Sequence, residues 1–299
     1  MKYFISWTHS DPIYQHYFAD VRVLVSPPNV NLAWNVGLWP SAPVDLIVDS
    51  GAFQYHRAGR SPSPEMVLDR QLHLAAGLDT PVGICHLDIL VAGIRDPADA
   101  LRRSMKNLTH ARWLITQGAD HLPENTEPIG VIQGRDAEQI FYVAQALAEM
   151  GYRRFALGSL AGKVASSRDE VLRRTEAALE AVGPRLHMLG VSSVPVLEAL
   201  ARLGVESADS GTPIKEAAWG GIFYSEPFRR YKLPSAHFRE WQRTYSFAEV
   251  IDSPLPCACP VCRDDPTQIM NPNGKVAVNL RALHNYYHLR RDIEGSHAE

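Results

Sequence analysis

Residues Ile129 to Gly158, IGVIQGRDAEQIFYVAQALAEMGYRRFALG, contain the clearest structural unit of this chain. It begins with an apolar run from Ile129 to Gln133 and continues through a helical pattern from Asp136 to Met150. It ends in a second apolar run, Arg154 to Gly158. Gly151 follows the helical pattern where a left-handed residue commonly terminates a helix. A strand, a helix and a strand in this order predict a parallel βαβ unit.

The same pattern recurs on both sides of this unit. Further strands are predicted at residues 3–7, 21–26, 45–49, 82–88, 186–191 and 205–209. A helix is predicted from Ser167 to Val182, because Ser167 and Glu170 form a capping box and Gly183-Pro184 stops the pattern. Eight strands with intervening helices in about 220 residues favour a (β/α)₈ barrel. An open doubly wound sheet is the alternative, but no Gly-x-Gly-x-x-Gly motif follows an early strand.

The alternation of strands and helices is lost after Gly221. We therefore expect a barrel domain over residues 1–245 and a second region over residues 246–299, whose C-terminal helix packs on the barrel. That region contains Cys257-Ala-Cys259-Pro-Val-Cys262 and a helical pattern from Val276 to Ile293. Three of the four cysteines fall within six residues, which indicates a metal site rather than a disulfide scaffold.

Composition limits the class of protein. The chain has 299 residues, of which 45% are hydrophobic, and this is enough for a sizeable buried core. Its 30 Lys and Arg against 33 Asp and Glu give a net charge of −3, so a nucleic-acid site would have to be a local patch. No apolar stretch reaches the roughly 18 residues of a membrane helix, and the N-terminus lacks a signal peptide's apolar run. We expect a cytoplasmic protein without membrane contact.

Polar residues close the predicted strands, at the end of a (β/α)₈ barrel where catalytic side chains lie. They are Asp49, Asp88, Gln133, Gly158 with Ser159, Gly190 and Asp209. A single Asp after a strand is often only the N-cap of the next helix. Three carboxylates and an amide on one rim instead indicate an active site. Two such carboxylates suffice for retaining chemistry at a sugar C1′, with one as nucleophile and the other as general acid/base.

Residues 228–243, FRRYKLPSAHFREWQR, form a local basic patch with a charge of +4. Its cations Arg229, Arg230 and Lys232 alternate with aromatic residues and are candidates for contacts with nucleic-acid phosphates, which carry no sequence information. A solvated helix face is an equally good interpretation.

Seven motifs occur in one order along the chain. They are Asp49-Ser-Gly-Ala-Phe-Gln54, Leu87-Asp88, Gly130-Val-Ile-Gln-Gly134, Gly158-Ser-Leu-Ala161, Leu189-Gly-Val191, Asp209-x₃-Pro213-x₃-Ala217-x₂-Gly220, and Cys-x-Cys-x-x-Cys with a later His284-Asn285. Together they resemble the tRNA-guanine transglycosylases over roughly residues 45–290. The resemblance implies a pentosyltransferase that exchanges guanine in a polynucleotide for a 7-deazaguanine through a covalent Asp-glycosyl intermediate.

The resemblance also implies roles for individual residues. Asp209 would be the nucleophile and Asp49 the general acid/base. The base would be bound by Ser50, Phe53, Asp88, Gln133, Gly158, Ser159, Leu160 and Leu189. Phe53 and Leu189 would cover its two faces, while Asp88 and Gln133 would complement the donors and the acceptor on guanine's edge.

A structural Zn²⁺ is implied in the same way, which makes residues 246–299 a zinc-binding subdomain. Its ligands would be Cys257, Cys259, Cys262 and His284, and His288, one turn further along the helix, is the alternative fourth ligand. A homodimer, as in relatives, is a further expectation.

Two departures from the family bear on the substrate. Gly162-Lys163-Val164 stands where bacterial members carry a Glu that pairs with a charged aminomethyl group. A buried ammonium without that partner is costly, so we predict a neutral incoming base such as 7-cyano-7-deazaguanine. The basic pair that bacterial members use on tRNA is reduced to Lys215, with Ala218 at the second place, so tRNA and DNA both stay open as substrates.

Two further hypotheses concern the activity itself. A non-catalytic partner subunit of a transglycosylase is one, but the chain retains both Asp49 and Asp209, which favours activity. A barrel glycosidase acting on a carbohydrate is the other, but it has no use for Asp88, Gln133 and the stacking Phe53.

Overall fold

The computed structural model describes residues 1–29, 39–158, 160, 167–234 and 249–295. The chain divides into two compact units. The first comprises Met1–His9 and Asp20–Ser210, and the second comprises Ser10–Ala19 and Gly211–Glu299.

The first unit contains a closed barrel of eight parallel strands that pair in sequence order. The strands are β1 (Lys2–Trp7), β2 (Arg22–Val25), β3 (Asp45–Val48), β4 (Val82–Cys85), β5 (Thr126–Ile132), β6 (Arg154–Leu157), β7 (Leu186–Met188) and β8 (Ser207–Ser210). Strand β8 pairs back to β1, with Asp209 opposite Phe4, and so closes the barrel. The predicted (β/α)₈ barrel is confirmed, and the open doubly wound sheet is wrong.

Helices connect the later strands of the barrel. They are α1 (Ala52–Arg57), α2 (Pro64–Ala75), α3 (Pro97–Trp113), α4 (Ala137–Glu149), α5 (Arg168–Val182) and α6 (Val194–Arg202). The Asp136 carboxylate accepts from the backbone of Gln139 at the start of α4, and the Ser167 hydroxyl caps α5. Both caps satisfy amide donors that a helix N-terminus leaves free.

The barrel interior is filled by side chains from six strands. The buried cluster consists of Phe4, Leu24, Ile47, Cys85, Ile129, Val131 and Ala156. Burying one such apolar side chain contributes about 1.5–3 kcal/mol, so this layer fixes the strands against one another. The residues that close each strand are therefore held in place by the packing beneath them.

The second unit contains α7 (Thr212–Ala218), a small sheet, α8 (Pro260–Asp264) and α9 (Lys275–Gly295). The sheet has the order β11-β10-β9, formed by β9 (Gly221–Tyr224), β10 (Arg229–Lys232) and β11 (Glu249–Val250). Helix α9 was predicted over Val276–Ile293, and the structure confirms it with slightly wider bounds. Within the described ranges, no helix has both the length and the apolar composition needed to cross a bilayer.

Candidate active site and metal centre

Asp209 is a buried carboxylate within β8, with 3% of its surface exposed. Its Oδ1 accepts hydrogen bonds from His187 Nε2 at 3.1 Å and from the Gly190 backbone amide at 2.9 Å. Its Oδ2 accepts from the hydroxyl of Ser6 on β1. The predicted nucleophile is therefore held by donors from three other segments of the barrel.

Asp49 follows β3 directly. Its Oδ2 accepts from Ser26 Oγ at 2.8 Å and from the Gly51 amide at 3.1 Å. Gly51 has a φ of 82°, and a Cβ atom there would lie 2.6 Å from Pro28 Cδ. The turn therefore requires glycine both for its left-handed backbone and for the close approach of Pro28.

Three carboxylates share one electrostatic environment in the barrel. Burial raises the pKa of Asp49 to about 6, and the negative charges of Asp88 and Asp209 add to this effect. The hydrogen bonds from Ser26 and Gly51 lower the pKa and only partly offset the burial. A carboxyl with this pKa is populated in both protonation states near neutral pH, as a general acid/base requires.

Asp88 and Gln133 form a buried polar pair. Asp88 Oδ2 accepts from Gln133 Nε2 at 2.7 Å, and its Oδ1 accepts from Ser50 Oγ at 2.6 Å. Burial raises the pKa of Asp88, while these two hydrogen bonds lower it. A Cβ atom on Gly158 would lie 2.4 Å from Gln133 Nε2, so the pair needs glycine at that position.

The remaining predicted base-binding residues lie in three places. Leu160 is buried, and Leu189 packs half-buried against the core cluster of the barrel. Phe53 lies on α1 with 47% of its surface exposed, and the Arg57 guanidinium is 5.9 Å from its ring centroid. Ser159 lies outside the described residues, as do residues 161–166.

Sequence reasoning missed three residues of this site: Ser6, Ser26 and His187. The residue that closes each apolar run indicates a site at a strand end, whereas His187 lies inside the run LHMLGV. Ser26 does close the run VRVLVS, but its partner Asp49 lies 23 positions further along the chain. The sequence signal that could identify these three residues is a polar side chain within, or at the end of, an otherwise apolar strand.

The comparisons with known proteins agree with this geometry. A family model described as queuine tRNA-ribosyltransferase matches residues 47–298. The chain belongs to this family. The resemblance to the tRNA-guanine transglycosylases that the seven motifs predict is therefore confirmed.

Three relatives named queuine tRNA-ribosyltransferase show the extent of the similarity. The protein of Chlamydia muridarum is 28% identical over 80% of this chain and 63% of its own length. That of Chlamydia pneumoniae is 25% identical over 83% of this chain and 65% of its own length. That of Chlamydia felis is 30% identical over 60% of this chain and 48% of its own length. The chain thus spans less than two thirds of the length of the curated relatives it matches.

The second unit contains a candidate metal centre. The ligand atoms of Cys257, Cys259, Cys262 and His284 all lie within 4.8 Å of one another. His284 Nδ1 faces the thiols, at 3.4 Å from Cys259 Sγ and 3.3 Å from Cys262 Sγ. Its Nε2–H donates to the Phe223 carbonyl at 2.7 Å, which orients the ring toward the cysteines. Three thiols and one imidazole suit a closed tetrahedral site.

His288 lies beside the same cysteines but has different hydrogen-bond partners from His284. Its Nδ1 accepts from the Ser225 amide at 3.0 Å, so in the neutral ring the proton is on Nε2. That Nε2 lies 3.1 Å from Cys257 Sγ and can donate to it. The geometry favours His284 as a ligand and His288 as a donor to a liganding sulfur.

The predicted phosphate-binding residues also lie in the second unit. Lys215 on α7 and Arg229 on β10 are exposed, and Lys232 is half-buried. Arg230 pairs with Glu216 at 2.7 Å, so its charge is already balanced by a carboxylate. Residues 235–243 of the patch, including Arg239 and Arg243, lie outside the described residues.

Proposed function

We propose that this chain is a guanine transglycosylase, a pentosyltransferase that exchanges guanine in a polynucleotide for a 7-deazaguanine base. The observation that carries the proposal is the grouping of Asp49, Asp88 and Asp209 at one end of a (β/α)₈ barrel. Membership of the queuine tRNA-ribosyltransferase family supports it.

The exchange proceeds in two displacements. A carboxylate oxygen of Asp209 bonds to C1′ of the nucleotide while the C1′–N9 bond breaks. The electron pair of the C1′–N9 bond leaves with guanine. The carboxyl of Asp49 gives its proton to the departing base. Asp49 then removes a proton from the incoming base, whose ring nitrogen attacks C1′ and releases the Asp209 carboxylate. The glycosidic bond is conserved, so no external energy source is needed.

The purine is bound by the polar pair and covered on both faces. The Asp88 carboxylate is suited to guanine's N1–H and amino donors, and the Gln133 amide to its O6 acceptor. Ser50 and the backbone of Gly158, Ser159 and Leu160 complete the base site. Phe53 and Leu189 cover the two faces of the ring.

The incoming base is neutral, such as 7-cyano-7-deazaguanine. The support is the sequence Gly162-Lys163-Val164, which offers no carboxylate to pair with a buried ammonium. The Chlamydia proteins are named for tRNA, which favours tRNA as the polymer. DNA is the second candidate, because Ala218 replaces one of the two cations expected for a tRNA contact.

Structural Zn²⁺ is proposed in the second unit, held by Cys257, Cys259, Cys262 and His284. The support is the donor set and its spacing. The ion would stabilise the fold of that unit and would take no part in the exchange.

Incorporation of labelled guanine tests the activity and identifies the polymer that is modified. The protein is incubated with the label and, separately, with total tRNA and with genomic DNA; we expect one of them to become labelled. The variant Asp209→Asn should incorporate none, while Asp69→Asn, at an exposed position on α2, should match the wild type. Because the base must leave the stack, single-stranded or loop substrates should react faster than a duplex.

Three outcomes would contradict the proposal. Wild-type protein that labels neither polymer would refute it, and so would full activity in the Asp209→Asn variant. Wild-type protein that is inactive alone, but activates a second chain, would identify a non-catalytic subunit instead.

A further inference from the structure

A buried histidine lies beside the proposed nucleophile. His187 on β7 is 1% exposed, and its Nε2 is 3.1 Å from Asp209 Oδ1. Its Nδ1 is 2.9 Å from Ser207 Oγ, and the ring packs edge-on against Phe4 with centroids 5.3 Å apart. His187 has no role in the exchange as proposed above.

The partners of the ring define where its protons are. The ionised carboxylate of Asp209 offers only acceptors, so the hydrogen bond between them requires a proton on Nε2. The hydroxyl of Ser207 can donate to Nδ1, which leaves the neutral imidazole with its proton on Nε2. Ser207 therefore sets the tautomer that His187 presents to Asp209.

The two oxygens of Asp209 have different environments. Oδ1 accepts from two donors held by the barrel, the His187 ring and the Gly190 amide. Oδ2 accepts from the Ser6 hydroxyl, which can rotate about its C–O bond. Two lone pairs are engaged at Oδ1, so Oδ2 is the oxygen that can be freed for attack.

We propose that His187 is a positioning residue for the nucleophile, which fixes Oδ1 of Asp209 and directs Oδ2 to the sugar C1′. This inference rests on the proposed function and adds to it a residue that does not touch the substrate. Fixing one oxygen removes the rotation of the carboxylate about its Cβ–Cγ bond. The attacking atom is then held in line with C1′ before the substrate arrives.

Two substitutions separate the hydrogen bond from the packing. His187→Leu keeps an apolar side chain of similar size and removes the donor. His187→Gln places an amide nitrogen near the position of Nε2 and can still donate. His121→Leu, at an exposed position in the 3₁₀ helix Ala119–His121 of the same unit, is the matched control.

The readouts are kcat and KM for guanine exchange, with circular dichroism to confirm folding. We expect His187→Leu to lower kcat about 100-fold, the loss typical of a misplaced reacting group, with little change in the KM for guanine. His187→Gln should recover most of the loss. An unchanged kcat in folded His187→Leu, or a Gln variant no better than Leu, would overturn the proposal.

A spectroscopic measurement tests the contact independently of activity. Nitrogen-15 NMR of the imidazoles distinguishes protonated from unprotonated ring nitrogens, and the signal lost in His187→Gln identifies His187. We expect a proton on Nε2 and a shift of that signal in Asp209→Asn. A proton on Nδ1 alone, or no response to Asp209→Asn, would overturn the role of His187. Wild-type protein without exchange activity would refute the proposed function, while this spectrum would still decide the contact.

Discussion

At the scale of single residues, closure of the barrel brings carboxylates together with hydrogen-bond donors that are far away in the chain. Asp49, Asp88 and Asp209 each close an apolar run, and the barrel places all three at the same end. Ser6 binds Asp209 across 203 positions of sequence, because β1 and β8 become neighbours only when the barrel closes. A hydrogen bond between the first and last strands depends on closure of the barrel, and no local sequence pattern indicates it.

The raised pKa of Asp49 predicts a stability cost that depends on pH. Folding favours the protonated form, so the folded state loses stability as pH rises above the ordinary Asp value and through about 6. Asp49→Asn removes the ionisation and can still accept from Ser26 and Gly51. We expect it to raise the free energy of unfolding by about 2–3 kcal/mol at pH 8, and by under about 1 kcal/mol at pH 4.

Urea denaturation of the wild type and of Asp49→Asn at both pH values measures this difference. If Asn raised the free energy of unfolding equally at pH 4 and pH 8, ionisation of Asp49 would not be the cause of the increase. Guanine exchange by the variant should be lost at both values.

At the scale of elements, the sequence predicted all eight strands, the Ser167 cap of α5, and the ends of α4 and α5 near Gly151 and Gly183. Strand ends were less accurate: β4 ends at Cys85, three residues before Asp88. The carbonyls at this edge are satisfied by Gln71 from α2, whose Nε2 donates to Val48, Asp49 and Cys85. The Gln71 side chain thus takes the place of the backbone hydrogen bonds that a longer strand would make. Hydrophobic patterning does not reveal such a contact.

The loop after β5 is held by a buried arginine from α5. Arg174 is 4% exposed, pairs with Glu170 at 2.7 Å, and donates to the carbonyls of Gly134 and Arg135. Arg174→Leu removes the buried donor to these two carbonyls and one of the two arginines that pair with Glu170. We expect a loss of about 2–4 kcal/mol in unfolding free energy. The KM for guanine should also rise, because Gln133 precedes this loop.

Arg173→Leu is the matched control on the same helix. Arg173 also pairs with Glu170, but its side chain is 67% exposed, so we expect a change within about 0.5 kcal/mol. Equal destabilisation by the two variants in urea denaturation would contradict the role given to Arg174.

At the scale of the whole molecule, the closed barrel and the cysteine cluster followed from the sequence, while the composition of the second unit did not. Residues Ser10–Ala19 belong to that unit. The rings of Tyr14 and Phe18 pack on Tyr286 of α9, at 4.9 and 5.1 Å between centroids. No pattern in an N-terminal loop predicts a contact with a C-terminal helix. The homodimer stays a prediction, which sedimentation velocity can test.

The candidate metal centre predicts different consequences for the two histidines beside it. His284→Ala should abolish zinc binding and lower the thermal stability of the second unit, since it removes a proposed ligand. His288→Ala removes only a donor to Cys257 and should weaken zinc binding about 10–100-fold. Metal analysis of the purified variants and competition with a chelator measure both effects. Full zinc content in His284→Ala, with loss in His288→Ala, would reverse the assignment.

Detection of a covalent Asp209–glycosyl intermediate is the decisive test of the proposed base exchange. The wild-type protein is mixed with tRNA and, separately, with DNA, denatured during turnover, and run on a denaturing gel. We expect a protein-linked polynucleotide with one of the two polymers, and none with Asp209→Asn. A wild-type protein that exchanges guanine without forming a linked species, or an Asp209→Asn variant that forms one, would contradict it.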